Sequence, residues 1–177
     1  MDNQFFNQFF AKSDGITTLE MHTDHVITAG KNLLNSLPFT PEKRAYWAEK
    51  LYRCAVLHDL GKIHSEFQRR LNGAKDVSIR HEIISLWFCE NFLDLKEDEL
   101  FAIATHHKGV IKMGATKRLE IDVLKEEMED HFENAQDLLT YETLVGWLKL
   151  MKLELPTFNN EPQRNYFVAN RDIFCTI

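Results

Sequence analysis

Apolar residues recur at steps of three and four along most of this chain, which is the spacing that lines one face of an α-helix. The first such stretch covers about residues 18–37 and is followed by Pro38. The second begins at Thr40 and Pro41, where threonine can cap a helix and proline fits its first turn. It continues to about residue 60, and Gly61 is predicted to end it by letting the chain turn sharply.

Further amphipathic stretches predict shorter helices along the rest of the chain. They cover about residues 65–71, 79–92 and 97–106, and the last ones fall within residues 119–155. No run of alternating apolar and polar residues is long enough for a central strand. The sequence therefore predicts an all-α fold, and its 177 residues fit a single domain, 1–177, with a sizeable core.

The charged residues are unevenly distributed. The net charge of −6 by itself argues against a nucleic-acid partner. Residues 120–137, however, contain eight acids and one base, and so account for more than the whole negative charge. Residues 106–118 carry four bases and no acid, namely Lys108, Lys112, Lys117 and Arg118. This stretch is compatible with a phosphate-bearing substrate, although an ordinary solvated helix face has the same composition.

The same composition excludes several classes of protein. No apolar run approaches the length that spans a bilayer, and no basic start followed by an apolar stretch opens the chain. We therefore expect no membrane partner and a cytoplasmic location. The cysteines, Cys54, Cys89 and Cys175, form no CxxC pair, so they indicate neither a thiolate zinc site nor a disulfide framework. They are expected to be small buried apolar residues.

Candidate chemistry begins with His58 and Asp59 at the predicted end of the second helix. A neutral imidazole and a carboxylate suit transition-metal ions, and the second carboxylate oxygen can bridge to another ion. Gly61 and Lys62 follow in the same turn, so the Lys62 ammonium is expected at the mouth of the site, where it can meet a phosphate oxygen. A histidine followed by an aspartate is common by chance, so this pair indicates a metal site only if other histidines support it.

Other histidines lie at or near predicted helix ends. His106 and His107 are adjacent, and two imidazoles are costly to bury without a partner. His81 begins a helix, and His22 lies on the first helix with His25 as its rival. Singly, His81 and His22 are more typical of a capping, surface or structural histidine, and the alternative for His106 and His107 is an exposed polar helix end. Together with the dyad they indicate a metal site between helices.

The order of these motifs resembles the HD nuclease domain of type I CRISPR systems. That domain occurs as a separate polypeptide or fused to a superfamily 2 helicase, and the resemblance covers about residues 15–110. The motifs that carry it are L-x-x-H-x-x-x-V at 19–26, LHDLGK at 57–62, FQ at 67–68, R-H-E-x-x-S at 80–85 and HHKG at 106–109.

The resemblance implies an HD-domain helical bundle that holds two divalent transition-metal ions (Mn, Fe, Ni, Co or Mg) between its helices. The implied metal ligands are His22, His58, Asp59, His81, His106 and His107. They divide into a set of His22, His58 and Asp59, and a set of Asp59, His81, His106 and His107. We expect Asp59 and Lys62 to be catalytic, and we expect Lys62, Lys108 and Lys112, which lie beside the motifs, to contact substrate phosphate.

The activity implied is two-metal hydrolysis of single-stranded DNA during CRISPR interference. The implied partners are that DNA, a superfamily 2 helicase in cis or in trans, and the CRISPR surveillance complex. Two other functions stay open. One is an HD phosphohydrolase that acts on nucleotides or cyclic nucleotides, and the other is a metal-poor scaffold domain of an interference complex.

One family feature has no convincing counterpart after residue 110. The family carries a late aspartate that completes the first metal site, and neither Asp137 nor Asp172 has the expected surroundings. We therefore expect the natural polypeptide to continue beyond residue 177 or this region to diverge. Two histidines match no family ligand: His64 is expected in a solvated loop or as a contact to substrate or ligands, and His131 on the surface.

Overall fold

The computed structural model describes residues 3–76, 79–107 and 140–155, and most of these residues are helical. The only pairing of extended chain among them is an isolated bridge between Phe10 and Thr18. The all-α prediction is therefore confirmed. The elements are α1 (Asn3–Phe6), α2 (Leu19–Ser36), α3 (Pro41–Leu57), a 3-10 turn (Leu60–Ile63), α4 (Ser65–Leu71), α5 (His81–Phe92), α6 (Glu97–Thr105) and α7 (Tyr141–Leu150).

Threonines cap three of the described helices, and the cap of α3 is the predicted one. The hydroxyl oxygens of Thr18, Thr40 and Thr140 accept hydrogen bonds from the backbone N–H groups three residues later, at the starts of α2, α3 and α7. Pro41 occupies the first turn of α3. None of the helices described is long and apolar enough to cross a membrane. The part of the predicted helical stretch 119–155 that precedes residue 140 lies outside the described residues.

The end of α3 differs from the prediction, and the difference shapes the site. The helix ends at Leu57, and Gly61 lies inside the following 3-10 turn rather than at a helix end. A Cβ atom at Gly61 would stand 2.1 Å from the carbonyl oxygen of His81 and 2.9 Å from Cβ of Ile84. Glycine is therefore needed here because the turn presses against α5, and not because the chain reverses sharply.

Ser85 fastens the 3-10 turn to α5. Its hydroxyl accepts a hydrogen bond from the Gly61 N–H at 2.8 Å and donates one to the His81 carbonyl at 2.9 Å, and the side chain is fully buried. The turn that carries Asp59 and the helix that starts at His81 are thus joined by one hydroxyl group.

The hydrophobic core is closed by α7 and by the N-terminal segment. Trp147 is fully buried, and its indole N–H donates to the carbonyl of Val56 at 2.8 Å, in the last turn of α3. The ring of Phe6 packs against that indole with 5.6 Å between centroids. The four-residue helix α1 was not predicted, because a single turn is too short to show helical periodicity.

The chain after α1 is pinned close to the site. The side-chain amide of Gln68 accepts a hydrogen bond from Phe10 N–H at 3.1 Å and donates to the carbonyls of Phe10 and Lys62 at 3.0 and 2.6 Å. The Leu19 N–H donates to the Phe9 carbonyl at 2.8 Å. These bonds connect the start of α2, the N-terminal segment and the 3-10 turn.

Candidate metal centre

Four helices begin or end around one buried carboxylate, that of Asp59. His22 lies in the first turn of α2 and His81 starts α5, whereas His58 follows α3 and His106 follows α6. The structure brings together all six predicted ligands, which are His22, His58, Asp59, His81, His106 and His107.

One oxygen of Asp59 faces the imidazoles of α2 and α3. Oδ2 lies 3.0 Å from Nε2 of His22 and 3.1 Å from Nε2 of His58. The ligand atoms of these three residues all lie within 4.8 Å of one another, so one metal ion could contact all of them. We call His22, His58 and Asp59 the first group.

The other oxygen faces the imidazoles of α5 and α6. Oδ1 lies 3.0 Å from Nε2 of His81 and 3.5 Å from Nε2 of His106. His107 completes this set, because its Nε2 lies 3.0 Å from Nε2 of His81. We call Asp59, His81, His106 and His107 the second group, and their ligand atoms also lie within 4.8 Å of one another. The two groups match the division implied by the sequence motifs.

Helix ends fix the orientation of two of the rings. Nδ1 of His58 lies 2.9 Å from the Ala55 carbonyl, and Nδ1 of His106 lies 2.7 Å from the Ile103 carbonyl. Carbonyls in the last turn of a helix lack a backbone partner, and a carbonyl can only accept, so each Nδ1 carries the hydrogen. Nε2 of each ring is then left with its lone pair toward Asp59, which is the tautomer that binds metals.

The Asp59 carboxylate has charged and polar neighbours but no well-formed hydrogen bond. Its side chain is 3% exposed, and neither oxygen receives a hydrogen bond of acceptable geometry from the residues described. Imidazole nitrogens and Nζ of Lys62 stand 2.8–3.5 Å from these oxygens, but none makes a hydrogen bond of acceptable geometry. A buried carboxylate in this condition is costly, and a cation in line with its lone pairs would relieve the cost. The donor set therefore fits a metal ion.

The surroundings of Asp59 keep it ionised. Burial by itself raises the pKa of this carboxyl, but the imidazoles of His106, His22, His58 and His81 outweigh burial and hold that pKa well below its usual range. The carboxylate is therefore available as a ligand at neutral pH.

The imidazoles of the second group differ in protonation. Burial lowers the pKa of His81 and of His107, which favours the neutral rings that bind metal. Burial also acts to lower the pKa of His106, but Asp59 and the Ile103 carbonyl raise it above its usual value. A metal ion at His106 therefore has to compete with a proton.

No protein-family model matches this chain, and no curated protein matches it. The resemblance to HD nuclease domains therefore stays a prediction that rests on the motifs. The chemistry of the site is inferred from its own residues and their arrangement.

Lys62 lies deeper than predicted. The sequence puts its ammonium at the mouth of the site, but the residue is only 7% exposed and its Nζ lies 2.8 Å from Oδ2 of Asp59. Residues three apart eclipse on a 3-10 turn, which places this lysine over the carboxylate. Its contact with substrate phosphate stays a prediction.

The remaining candidates separate clearly. His25 is exposed on α2 and belongs to neither group, so His22 is the histidine of that helix that faces Asp59. His64 is buried rather than in a solvated loop, and its Nδ1 accepts from the Glu66 N–H at 3.1 Å, which caps α4. Several candidates lie outside the described residues, namely Lys108, Lys112, His131, Asp137 and Asp172.

Two residues that support the site had no assigned role in the sequence. Gln68 holds the carbonyl of Lys62, and Ser85 holds the turn between Asp59 and Lys62 against α5. The signal was present, because Gln68 belongs to the FQ motif and Ser85 to the R-H-E-x-x-S motif. Neither residue is a ligand type for these ions, so only the three-dimensional structure shows what each contacts.

Proposed function

We propose that this protein is a metal-dependent phosphodiesterase whose centre holds two divalent transition-metal ions. The observation that carries the proposal is the position of Asp59. Its two oxygens face two separate sets of imidazoles, the arrangement expected of a carboxylate that bridges two ions. His22 and His58 would hold one ion with Oδ2, and His81, His106 and His107 would hold the other with Oδ1.

The ligand types favour certain ions. Imidazole nitrogen suits Fe and Ni, and the shared carboxylate also suits Mn, whereas Mg binds mainly through oxygen ligands and retained water. The second group offers four protein ligands and the first offers three, so the second group is expected to bind its ion more tightly. When bound, such ions supply the activated nucleophile and the charge stabilisation that phosphodiester hydrolysis needs.

The proposed substrate is single-stranded DNA, cleaved during CRISPR interference with a superfamily 2 helicase and the surveillance complex as partners. This part of the proposal is supported by the motif order and by the basic residues that follow His107, including Lys108 and Lys112. Contacts with a backbone of phosphates tolerate any sequence, as a nuclease that degrades displaced strands requires.

The decisive variant is Asp59→Asn, which keeps the shape of the side chain and removes its charge. We expect it to lose both ions and to lower nuclease activity more than about 100-fold, because both groups share this carboxylate. Circular single-stranded DNA with Mn²⁺ or Ni²⁺ is the substrate, and elemental analysis measures the bound metal. Asp94→Asn, at an exposed position, is the matched control.

The other functions give different results in the same experiment. Hydrolysis of deoxynucleotides or cyclic dinucleotides, with circular DNA left intact, would point to a nucleotide phosphohydrolase. Wild-type protein that binds no metal and hydrolyses nothing would be a scaffold. Full digestion of circular DNA by the Asp59→Asn variant would refute the proposed centre.

A further inference from the structure

A buried ammonium group shares the Asp59 oxygen of the first group. We propose that Lys62 is a resident cation of the metal centre: it balances Asp59 in the metal-free protein and opposes an ion at His22 and His58, so that the second group fills first. The proposal rests on the proposed function for the identity of the ligands. It adds a residue that reinforces the order of metal binding expected from the number of ligands in each group.

The geometry singles out one of the two groups. Oδ2 of Asp59 lies 2.8 Å from Nζ of Lys62, closer than it lies to Nε2 of His22 at 3.0 Å or of His58 at 3.1 Å. Oδ1 faces His81 and His106 instead. The positive charge of Lys62 therefore stands at the oxygen that the first group uses.

Contacts along the whole residue hold the ammonium there. Nζ donates a hydrogen bond to the Ala11 carbonyl at 3.2 Å and lies 5.7 Å from the centre of the Phe67 ring. The backbone carbonyl of Lys62 accepts from the Gln68 amide at 2.6 Å. The side chain is 9% exposed, so water screens its charge poorly. Lys62 is thus a buried and fixed residue of the centre, unlike a mobile lysine on the surface.

Electrostatics gives the direction of the effect. A divalent ion at His22 and His58 would share one carboxylate oxygen with a positive charge in surroundings where like charges repel strongly. An ion in the second group meets Asp59 through the other oxygen and has one more protein ligand. Neutralising Lys62 should therefore strengthen the first group selectively, whereas removing a lysine that merely supports the site would weaken both groups.

The test is calorimetric titration of chelator-treated protein with Mn²⁺. Wild-type protein should show a tight and a weak binding event. Lys62→Met, which keeps the length of the side chain without its charge, should tighten the weak event about tenfold or more and change the tight one less than threefold. Lys43→Met is the control, because Lys43 is exposed in the first turn of α3, about 20 Å along the helix from His58.

Two ligand variants assign the events. His22→Ala should abolish the weak event alone, and His107→Ala should weaken the tight event. A second readout is the thermal melting of metal-free protein, whose midpoint should fall by several degrees in Lys62→Met because Asp59 loses its charged neighbour. If Lys62→Met is insoluble, Lys62→Gln removes the charge and keeps hydrogen-bond donors.

The outcomes separate the two proposals. A weak event that is unchanged or weaker in both neutral variants overturns the role of Lys62 and leaves the metal centre standing. Wild-type protein that binds Mn²⁺ at neither group defeats the metal centre and this inference together. Tightening of both events alike would also overturn the inference, because it predicts selectivity between the two oxygens.

Discussion

Replacing Gly61 with alanine tests how closely the 3-10 turn approaches α5. The new Cβ would stand 2.1 Å from the His81 carbonyl oxygen and 2.9 Å from Cβ of Ile84. Favourable contacts between such atoms begin at about 3.5 Å, so the turn and the helix would have to separate by roughly 1 Å. The carbonyl is backbone at the start of α5 and cannot rotate away as the end of a flexible side chain could.

The cost has two parts. Overpacking a buried site costs about 1–3 kcal/mol, and sometimes more. Separation would also strain or break the hydrogen bonds of the Ser85 hydroxyl to Gly61 and His81, and a lost buried hydrogen bond costs about 1 kcal/mol. We expect Gly61→Ala to lower the free energy of unfolding by about 3 kcal/mol, a large share of the roughly 5–15 kcal/mol typical of a domain.

Urea denaturation followed by circular dichroism measures this change, and Gly15→Ala is the matched control. Gly15 has a φ of +66° and no atom within 4 Å of a new Cβ, so alanine there meets backbone strain without a clash. That strain costs about 1–2 kcal/mol. If Gly61→Ala costs no more than Gly15→Ala, the close approach of the turn to α5 is not a constraint on stability, and the reasoning fails.

Two further predictions concern the rest of the fold. Burial raises the pKa of Glu90 to about 7 from an ordinary 4.5, so the folded state binds this proton more tightly than the unfolded state and stability should fall as pH rises from about 4.5 to 7. Glu90→Gln should flatten that fall and raise the free energy of unfolding at pH 8 by about 1–2 kcal/mol, a figure reduced because the group is only half-buried. Urea titrations at a series of pH values measure this change. Trp147→Phe removes the indole donor of the Val56 carbonyl and leaves a cavity in the core, so it should lower the free energy of unfolding by about 2 kcal/mol or more. The control Trp47→Phe, at an exposed position, should lower it by less than about 0.5 kcal/mol in the same assay.

Helix positions that depend on local sequence pattern were predicted well. Apolar residues at helical spacing gave α2 and α4 to within about a residue at each end, and Thr40 and Pro41 gave the start of α3. The candidate ligands could also be picked out from the sequence, because their order matches the motifs on which the resemblance rests. The structure brings all six of them together around Asp59.

The sequence did not predict what long-range packing controls. The need for glycine at position 61 comes from the backbone of His81, twenty residues later, and a glycine in a sequence looks the same whether it serves a turn or a close contact. The depth of Lys62 depends on the Ala11 carbonyl and the Phe67 ring, neither of which is marked by its own residue type. Spacing along one helix carries no information about such contacts.

Two helices begin at the metal centre and two end there, and this arrangement sets its electrical balance. The starts of α2 and α5 bring partial positive charge, and the ends of α3 and α6 bring partial negative charge of about equal size. The backbone therefore brings charges of both signs to the centre, which act against each other. Side chains such as Asp59 and Lys62 carry full unit charges, about twice the partial charge of a helix end.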